Sequence, residues 1–362
     1  MSLRALLDGL PIPILQAPMV GASSAGMALA VSGAGGLGSL AAGAMTPEAI
    51  VDAVTDFRSR SDAPFGVNLL MAPHVEPDAA TVDRALERLA PWYAELGEPL
   101  PEHPNSFAPD FAAQLDAVIE ARPPMASFTF GILSSQEIER LHAAGVQVVG
   151  TATNVAEARA WAAAGADGIC AQGFEAGGHR GHFLAELDAS LVGTIALTSL
   201  ILEAVDLPVI AAGGIMDGRG VAAVLALGAC AAQMGTAFLL SDQTAASAPW
   251  RRAVAEAGDE PTRLTRAFTG RYARGVENRF MREMRAVEGE VPAYPVQNRL
   301  SQPLRAAAAK AGEPDMISLW AGQGVGLARE GDAGDLVRAW WAQAQAAAQR
   351  LSARTSGSGV VE

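Results

Sequence analysis

Lysine and cysteine are scarce in this chain of 362 residues, which has one lysine, Lys310, and two cysteines, Cys170 and Cys230. Two cysteines exclude a disulfide scaffold and favour a reducing compartment, so we expect a cytoplasmic protein. A Schiff-base enzyme would need a lysine on a core strand. Lys310 lies beyond the last of the core strands that the sequence predicts, which ends at residue 238, so Schiff-base catalysis is excluded.

Positive charge is also scarce, since 26 lysines and arginines stand against 39 aspartates and glutamates, for a formal net charge of −13. This balance argues against nucleic acid and against anionic membrane surfaces as partners. Half of the residues are apolar and 18% are charged, which excludes a disordered chain. The long uncharged stretches 9–47 and 221–240 are interrupted by glycine or proline, so we expect buried strands there and no membrane span.

Short apolar runs alternate along the chain with longer segments that carry helix signals. The runs predict eight strands, at residues 14–18, 37–43, 65–71, 125–132, 146–153, 168–173, 208–214 and 229–238. Each strand except the last is followed by a predicted helix, and the runs are nearly continuous in apolar residues, as buried parallel strands are. We therefore predict an α/β fold, a (β/α)8 TIM barrel. A doubly wound open sheet is the alternative that the same alternation allows.

The character of the chain changes after the eighth strand. Residues 241–315 are richer in charge and predict a small added α/β domain, so the barrel would comprise residues 1–240 and 316–351. Two closing helices are predicted at residues 318–329 and 334–351. Residues 73–105 are polar and rich in proline, and they form an excursion from this alternation that leads to a predicted helix at residues 110–121. The tail, residues 352–362, is rich in serine and glycine and is predicted to be disordered.

Glycines cluster at three places that could bind phosphate. The GxGxxG pattern over residues 33–38 closes a helix and opens a strand, the reverse of a dinucleotide-binding turn, so we reject that interpretation. The seventh and eighth strands end in Gly213-Gly214 and in Gln233-Met234-Gly235-Thr236. In barrel enzymes the loops after these strands often bind phosphate through backbone N–H groups. The alternative is that these glycines only permit tight turns.

The sixth strand ends in a glycine-rich loop that contains His179 and His182. Catalytic groups of barrel enzymes lie at such strand ends, and histidine suits proton transfer near neutral pH. We therefore predict a catalytic role for His179 and a structural role for His182. No carboxylate or cysteine stands at supporting spacing, so we expect no metal site. Cys170 lies inside the strand and is expected to be a buried, inert thiol.

Several motifs together resemble the nitronate monooxygenase family, formerly called 2-nitropropane dioxygenases: PIPILQAPMVGASS, FGVNLL, AQGFEAGGHRG, PVIAAGGIMDGRG, QMGTAFL, FTGRYARGVENRFMRE and SLWAGQGVG. The resemblance spans residues 11–330. It implies an FMN-dependent barrel whose smaller domain covers the substrate. It further implies that FMN is held by Asn68, Gln172, Gly177 and Gly178, that its phosphate meets Gly213, Gly214, Gln233, Met234, Gly235 and Thr236, and that Pro18 and Met19 lie near the isoalloxazine.

The same resemblance implies oxidation of an alkyl nitronate by dioxygen to a carbonyl compound and nitrite. His179 would lie over the flavin as a base or would orient the anionic substrate, and a protonated His179 or Arg180 would suit the nitronate charge. Related barrels are NAD(P)H-dependent enoyl reductases or NADH:quinone reductases, which is the alternative activity. A non-catalytic sensor of a phosphate-bearing ligand is a further alternative. The oligomeric state is not specified by these motifs.

Overall fold

The computed structural model describes residues 1–258 and 262–356, and its core is a barrel of parallel strands. In chain order the strands are β1 (Ile14–Gln16), β2 (Gly38–Ala41), β3 (Phe65–Leu70), β4 (Met125–Thr129), β5 (Gln147–Ala152), β6 (Gly168–Gln172), β7 (Gly178–His179), β8 (Val209–Ala212), β9 (Ala231–Met234), β10 (Arg263–Thr265) and β11 (Ala273–Gly275). Eight of them form one sheet in the order β1-β9-β8-β6-β5-β4-β3-β2. The two edge strands meet at a bridge between Leu15 and Leu37, where Gln16 N donates to the Leu37 carbonyl at 2.9 Å. The predicted (β/α)8 barrel is confirmed, and the open sheet is wrong.

Each of the eight predicted apolar runs contains one barrel strand. Helices lie between these strands, and polar side chains cap several of them at their N-termini. The helices are α1 (Leu3–Asp8), α2 (Ala25–Gly33), α3 (Pro47–Arg60), α4 (Ala79–Leu96), α5 (Phe111–Ala121), α6 (Ser135–Ala143), α7 (Val155–Ala164), α8 (Thr194–Ala204), α9 (Gly218–Ala226), α10 (Ala248–Glu256), α11 (Arg279–Met284), α12 (Val296–Ala311) and α13 (Ala333–Ser356). The side chains of Thr46, Ser134 and Asn154 cap α3, α6 and α7. Each cap satisfies an N–H group that the helix leaves unpaired.

Helix α1 lies against the amino ends of the barrel strands. Its side chains Leu3, Leu6 and Leu7 are buried in one cluster with the strand residues Met125 and Ile210. This apolar packing fills the lower part of the barrel. The open end is consequently the carboxyl end, where barrel enzymes carry their sites.

The polar excursion over residues 73–105 contains a long helix, α4. The side chain of Asp78 accepts a hydrogen bond from Thr81 N at 2.7 Å to cap α4, and Gly97 ends it in a left-handed conformation. The buried residues recur at helical spacing: Val82, Ala85, Leu86, Leu89, Trp92 and Tyr93. The Tyr93 hydroxyl donates to the Leu300 carbonyl at 2.8 Å and accepts from Leu304 N at 3.2 Å, which anchors α4 on α12.

Of the two closing helices predicted near the end of the chain, one is present and the other is not. Helix α13 returns to the barrel and packs closely on α9, where a Cβ on Gly218 would lie 2.0 Å from the Trp340 carbonyl. Residues 318–329, predicted as a helix, are irregular apart from the short 3-10 turn Val325–Leu327. Three glycines in this segment allow its backbone to lie against other backbone, which a helix with its side chains would prevent. Residues 352–356 of the tail predicted to be disordered belong to α13, so that part of the prediction is wrong. The rest of the predicted tail lies outside the described residues.

A second, three-stranded sheet joins a barrel loop to residues 241–315. Strand β7 belongs to the loop after β6, and it pairs antiparallel with β11, which pairs with β10. The register places His179 opposite Ala273. The loop that carries the predicted catalytic histidine is therefore held as a strand by the added segment. The domain boundary at residues 240 and 316 stays a prediction.

Candidate active site

A cavity of about 780 Å³ opens at the carboxyl ends of the barrel strands. Its size is within the range of small-molecule sites. All but one of the predicted site residues line it: Pro18, Met19, Asn68, Gln172, Gly177, Gly178, His179, Gly213, Gly214, Gln233, Gly235 and Thr236. The exception is Met234, whose side chain is buried in the core and whose carbonyl accepts a hydrogen bond from Ala17 N at 2.8 Å.

The ends of β8 and β9 form a wall with unpaired backbone donors. Within the described residues, the N–H groups of Gly214, Gly235 and Thr236 donate to no other backbone or side chain. Gly214 has a φ of +70°, which L side chains rarely adopt. A Cβ on Gly235 would lie 3.3 Å from Ala17 Cβ and 3.5 Å from Met19 Sδ, at the wall of the cavity. This glycine cradle (Gly214, Gly235 and Thr236) has the donors and the backbone access that a phosphate needs.

The irregular segment 318–329 supports the glycine cradle. Gly322 N donates to Thr236 Oγ1 at 2.9 Å, so the hydroxyl hydrogen of Thr236 remains free to donate elsewhere. A Cβ on Gly322 would lie 2.6 Å from the Glu175 carbonyl, and Gln323 N donates to that same carbonyl at 2.9 Å. This close contact explains why the SLWAGQGVG motif is not a helix.

Asn68 and Gln172, the two amide side chains predicted to hold FMN, differ in how many of their polar atoms already form hydrogen bonds within the protein. Asn68 Nδ2 donates to the Ser127 carbonyl and hydroxyl at 3.1 and 3.0 Å, which leaves its carbonyl oxygen to the cavity. Gln172 Oε1 accepts from Arg180 and from Gly181 N, and its Nε2 donates to the His179 carbonyl at 3.1 Å. Gln172 therefore ties the end of β6 to the histidine loop. Cofactor binding by both residues stays a prediction.

His179 lies partly buried in the cavity wall. Its Nε2 is 2.9 Å from Thr269 Oγ1. Burial, together with the positive charges of Arg271 and Arg305, lowers the pKa of His179 to about 3. Since this pKa lies far below 7, the imidazole is neutral at neutral pH. The ring is thus uncharged with one free nitrogen lone pair, and it is not the protonated imidazole that the charge of a nitronate suggests.

Three aromatic rings surround the imidazole. The ring centroids of Phe130, Trp320 and Tyr294 lie 5.5, 5.5 and 5.9 Å from that of His179. Phe130 has a φ of +84°, and the guanidinium of Arg271 lies 4.4 Å from its ring centroid. Backbone strain of this kind at a residue other than glycine is typical of functional sites. Trp320 lies in the SLWAGQGVG motif and Tyr294 lies outside the quoted motifs, and no local spacing places either ring beside His179.

Among the described residues, two arginines line the cavity, the exposed Arg299 and the partly buried Arg305, whereas Arg180 does not line it. The Arg180 side chain is fully buried and donates to the carbonyls of Gln172, Gly173 and Ser190, so it holds loops together. Arg305 lines the cavity and donates to Asn298 Oδ1 at 2.8 Å, while its Nε has no partner. No carboxylate in the described residues forms an ion pair with it. An anionic ligand could therefore balance this charge.

The remaining candidate chemistries find no support in the site. Burial raises the pKa of the Cys170 thiol to about 12, so the thiolate is not available as a nucleophile. Within residues 1–258 and 262–356, no three His, Cys, Asp or Glu side chains are grouped so that they could hold a metal ion. The same residues contain no helix that is long and apolar enough to cross a membrane.

A parallel barrel that carries a cavity, the glycine cradle and a neutral histidine at the carboxyl ends of its strands has the architecture of the (β/α)8 enzymes. The chain belongs to the nitronate monooxygenase family, whose model, described as "Nitronate monooxygenase", matches residues 4–342. A "Probable nitronate monooxygenase" of Staphylococcus aureus strain Newman is 42% identical over 317 residues, 87% of this chain and 89% of the relative. The protein of the same description in strain MSSA476 is 40% identical over 326 residues, 90% of this chain and 92% of the relative.

Two solved structures share the fold over nearly the whole chain. A nitroalkane oxidase from Streptomyces ansochromogenes is 44% identical with a TM-score of 0.89, covering 96% of this chain and 99% of the other. FabK from Thermotoga maritima is 28% identical with a TM-score of 0.75, covering 98% and 99%. The chain is therefore an oxidoreductase of a family that is generally flavin-dependent.

Proposed function

We propose that the protein is an FMN-dependent nitronate monooxygenase that oxidises alkyl nitronates with dioxygen to carbonyl compounds and nitrite. The observation that carries the proposal is that one cavity combines the glycine cradle with His179 and Arg305. The glycine cradle can hold a phosphate, His179 can accept a proton, and Arg305 can balance the charge of an anion. The family and the similarity to a nitroalkane oxidase support the same reaction class.

The residues present fit FMN better than a dinucleotide. The unpaired N–H groups of the glycine cradle form one phosphate site, and the other glycine pattern runs from α2 into β2, so it offers no helix N-terminus to a second phosphate. The cavity has room for a mononucleotide and a small substrate. When bound, the flavin supplies the electron acceptor for the nitronate and the reactivity towards dioxygen.

The side chains of this chain bind and prepare the substrate. The neutral imidazole of His179 takes the α-proton of a nitroalkane. This proton transfer converts the nitroalkane into its anionic nitronate. Arg305 attracts the resulting negative charge, and the rings of Phe130, Tyr294 and Trp320 exclude water around the imidazole. Exclusion of water strengthens the attraction between the guanidinium and the anion.

Flavin release and anaerobic flavin reduction test the proposal together. We expect denatured protein to release FMN, and propionate 3-nitronate to bleach the bound flavin faster than NADH or NADPH does, with nitrite formed after oxygen is admitted. Release of FAD would contradict the single-phosphate argument. Bleaching by NAD(P)H alone would overturn the proposed function in favour of a reductase, and protein without flavin would favour a sensor.

Arg305→Gln should weaken the use of preformed nitronates more than that of neutral nitroalkanes. The substitution keeps a hydrogen-bonding side chain near Asn298 but removes a buried positive charge that no carboxylate balances. Because charge-assisted hydrogen bonds contribute about 1.5–3 kcal/mol, we expect KM for a nitronate to rise by about tenfold or more. Steady-state nitrite release at several substrate concentrations measures this.

Arg299→Gln is the matched control, because it removes the same charge from an exposed side chain of the same helix and cavity rim. We expect little change in KM from this variant, since charges in water are screened. Equal effects of both substitutions would show that general electrostatic attraction, and not the buried guanidinium, binds the anion.

A further inference from the structure

The hydroxyl group of Thr269 is the hydrogen-bond partner of His179 Nε2 within the described chain. Thr269 is 1% exposed, so water does not compete for this contact. Its Oγ1 also lies 3.0 Å from the Arg271 carbonyl oxygen and 3.3 Å from Arg271 N. The hydroxyl therefore has three neighbours and a single hydrogen to share among them.

These neighbours determine where the hydrogen lies. The Arg271 carbonyl can only accept, so the Thr269 hydroxyl is the donor in that contact. With its hydrogen committed, Oγ1 can only accept from His179 Nε2, which must then carry a hydrogen. The other ring nitrogen, Nδ1, has no hydrogen-bond partner among the described residues, and His179 lines the cavity.

We propose that Thr269 is a positioning residue that holds His179 in its Nε2–H tautomer and so leaves Nδ1 as the proton acceptor. The catalytic meaning of this arrangement rests on the proposed function, whereas the tautomer itself does not. In a neutral imidazole one nitrogen donates and the other accepts, so a base needs the correct tautomer as well as the correct position.

The aromatic neighbours cannot select the tautomer. Phe130, Tyr294 and Trp320 meet the imidazole through their rings at interplanar angles of 76°, 64° and 56°. These contacts restrict the tilt of the imidazole, but they distinguish the two nitrogens only weakly. Among the residues that the structure describes, Thr269 provides the one directional contact to a ring nitrogen of His179.

The turn that carries Thr269 is itself fixed by α12. Gln297 Nε2 donates to the Ala267 carbonyl at 2.8 Å, and the Ser301 hydroxyl donates to the Phe268 carbonyl. The next residue, Gly270, has a φ of +81°, and a Cβ there would lie 2.1 Å from the Pro292 carbonyl. Thr269 is thus held by buried neighbours on both sides, as a residue that orients a catalytic group should be.

Ring-nitrogen NMR tests the tautomer directly. The chain has five histidines, so ¹⁵N-histidine labelling gives few signals, and His179→Asn assigns the relevant pair. In the flavin-loaded protein at pH 7 without substrate we expect Nε2 to be protonated and Nδ1 to be unprotonated. The opposite pattern overturns the proposal, whatever reaction the enzyme catalyses.

Thr269→Val keeps the volume of the side chain and removes the hydroxyl. We expect a mixture of His179 tautomers in this variant. We also expect kcat/KM for neutral nitroethane to fall by about 10- to 100-fold, the range seen when residues that orient metal-ligating side chains by hydrogen bonds are replaced. The loss should be smaller for preformed ethylnitronate, and Thr269→Ser should restore both the NMR pattern and the rate. Unchanged tautomer and rate in Thr269→Val would overturn the positioning role.

Thr198→Val is the control for the loss of a buried threonine hydroxyl. Thr198 is fully buried in α8, and its Oγ1 has no partner among the described residues. This variant should change neither the His179 signals nor the ratio of the two substrate rates. Should Thr269→Val fail to fold, the wild-type NMR pattern and the serine variant still decide the question.

Discussion

His179→Asn should keep the flavin and lose most turnover of neutral nitroalkanes. Asparagine preserves a polar side chain at the position opposite Ala273, so β7 should still pair with β11. An amide cannot take a proton from carbon at neutral pH, and general base catalysis is typically worth ~10²–10⁴ in rate. We therefore expect kcat/KM for nitroethane to fall by about 10² or more, while the flavin content stays near that of the wild type.

The loss should be smaller for preformed nitronates, which need no base. For them only the orientation of the anion and the shape of the aromatic pocket remain to be supplied. Nitrite release from nitroethane and from ethylnitronate, measured side by side, gives the ratio of the two losses. Negligible losses on both substrates would leave His179 with a structural role alone.

His182→Asn is the matched control for this variant. His182 is in the same loop, and burial lowers its pKa to about 4, yet it does not line the cavity. Its replacement should leave the ratio of the two substrate rates unchanged. A loss as large as that of His179→Asn would show that the loop conformation, rather than the imidazole of His179, limits the rate.

The strands and the cradle were predictable because their signals are local. Apolar runs mark the strands, and the barrel brings the carboxyl ends of consecutive strands together, so Gly214 and Gly235 meet by topology alone. The helix over residues 79–96 was also detectable, since Val82, Leu86, Leu89 and Tyr93 recur at helical spacing after the cap Asp78. The prolines on both sides of this segment obscured the pattern.

The partners of His179 could not be predicted in the same way. Thr269 is 90 residues further along the chain and contacts the imidazole only because β7 pairs with β11, a strand outside the barrel. Arg305 reaches the cavity from α12, and nothing in its local sequence separates it from the exposed Arg299. Long-range pairing and burial decide these contacts, and neither is encoded in a local pattern.

Gly235→Val should weaken flavin binding strongly without unfolding the barrel. A Cβ at this position would lie 3.5 Å from the flexible Met19 side chain and 3.3 Å from Ala17 Cβ, a tight contact that a shift of a few tenths of an ångström would relieve. The φ of Gly235 is −114°, which residues other than glycine also adopt. The branched methyl groups would fill the space in front of the Gly235 and Thr236 N–H groups, which donate to no other described residue. We expect at least tenfold weaker flavin binding, equivalent to about 1.4 kcal/mol.

The measurement must separate cofactor loss from loss of stability. Flavin binding stabilises the folded state by mass action, so the thermal midpoints of flavin-free wild type and variant are the proper comparison, and they should be similar. Gly289→Val is the control, because Gly289 is exposed and does not line the cavity, and a Cβ there would meet no described atom within 4 Å. Gly235→Ala should fall between wild type and valine, since one methyl group blocks less of the cradle. If Gly235→Val retained a full complement of flavin, the phosphate would have to bind elsewhere in the cavity, away from the end of β9.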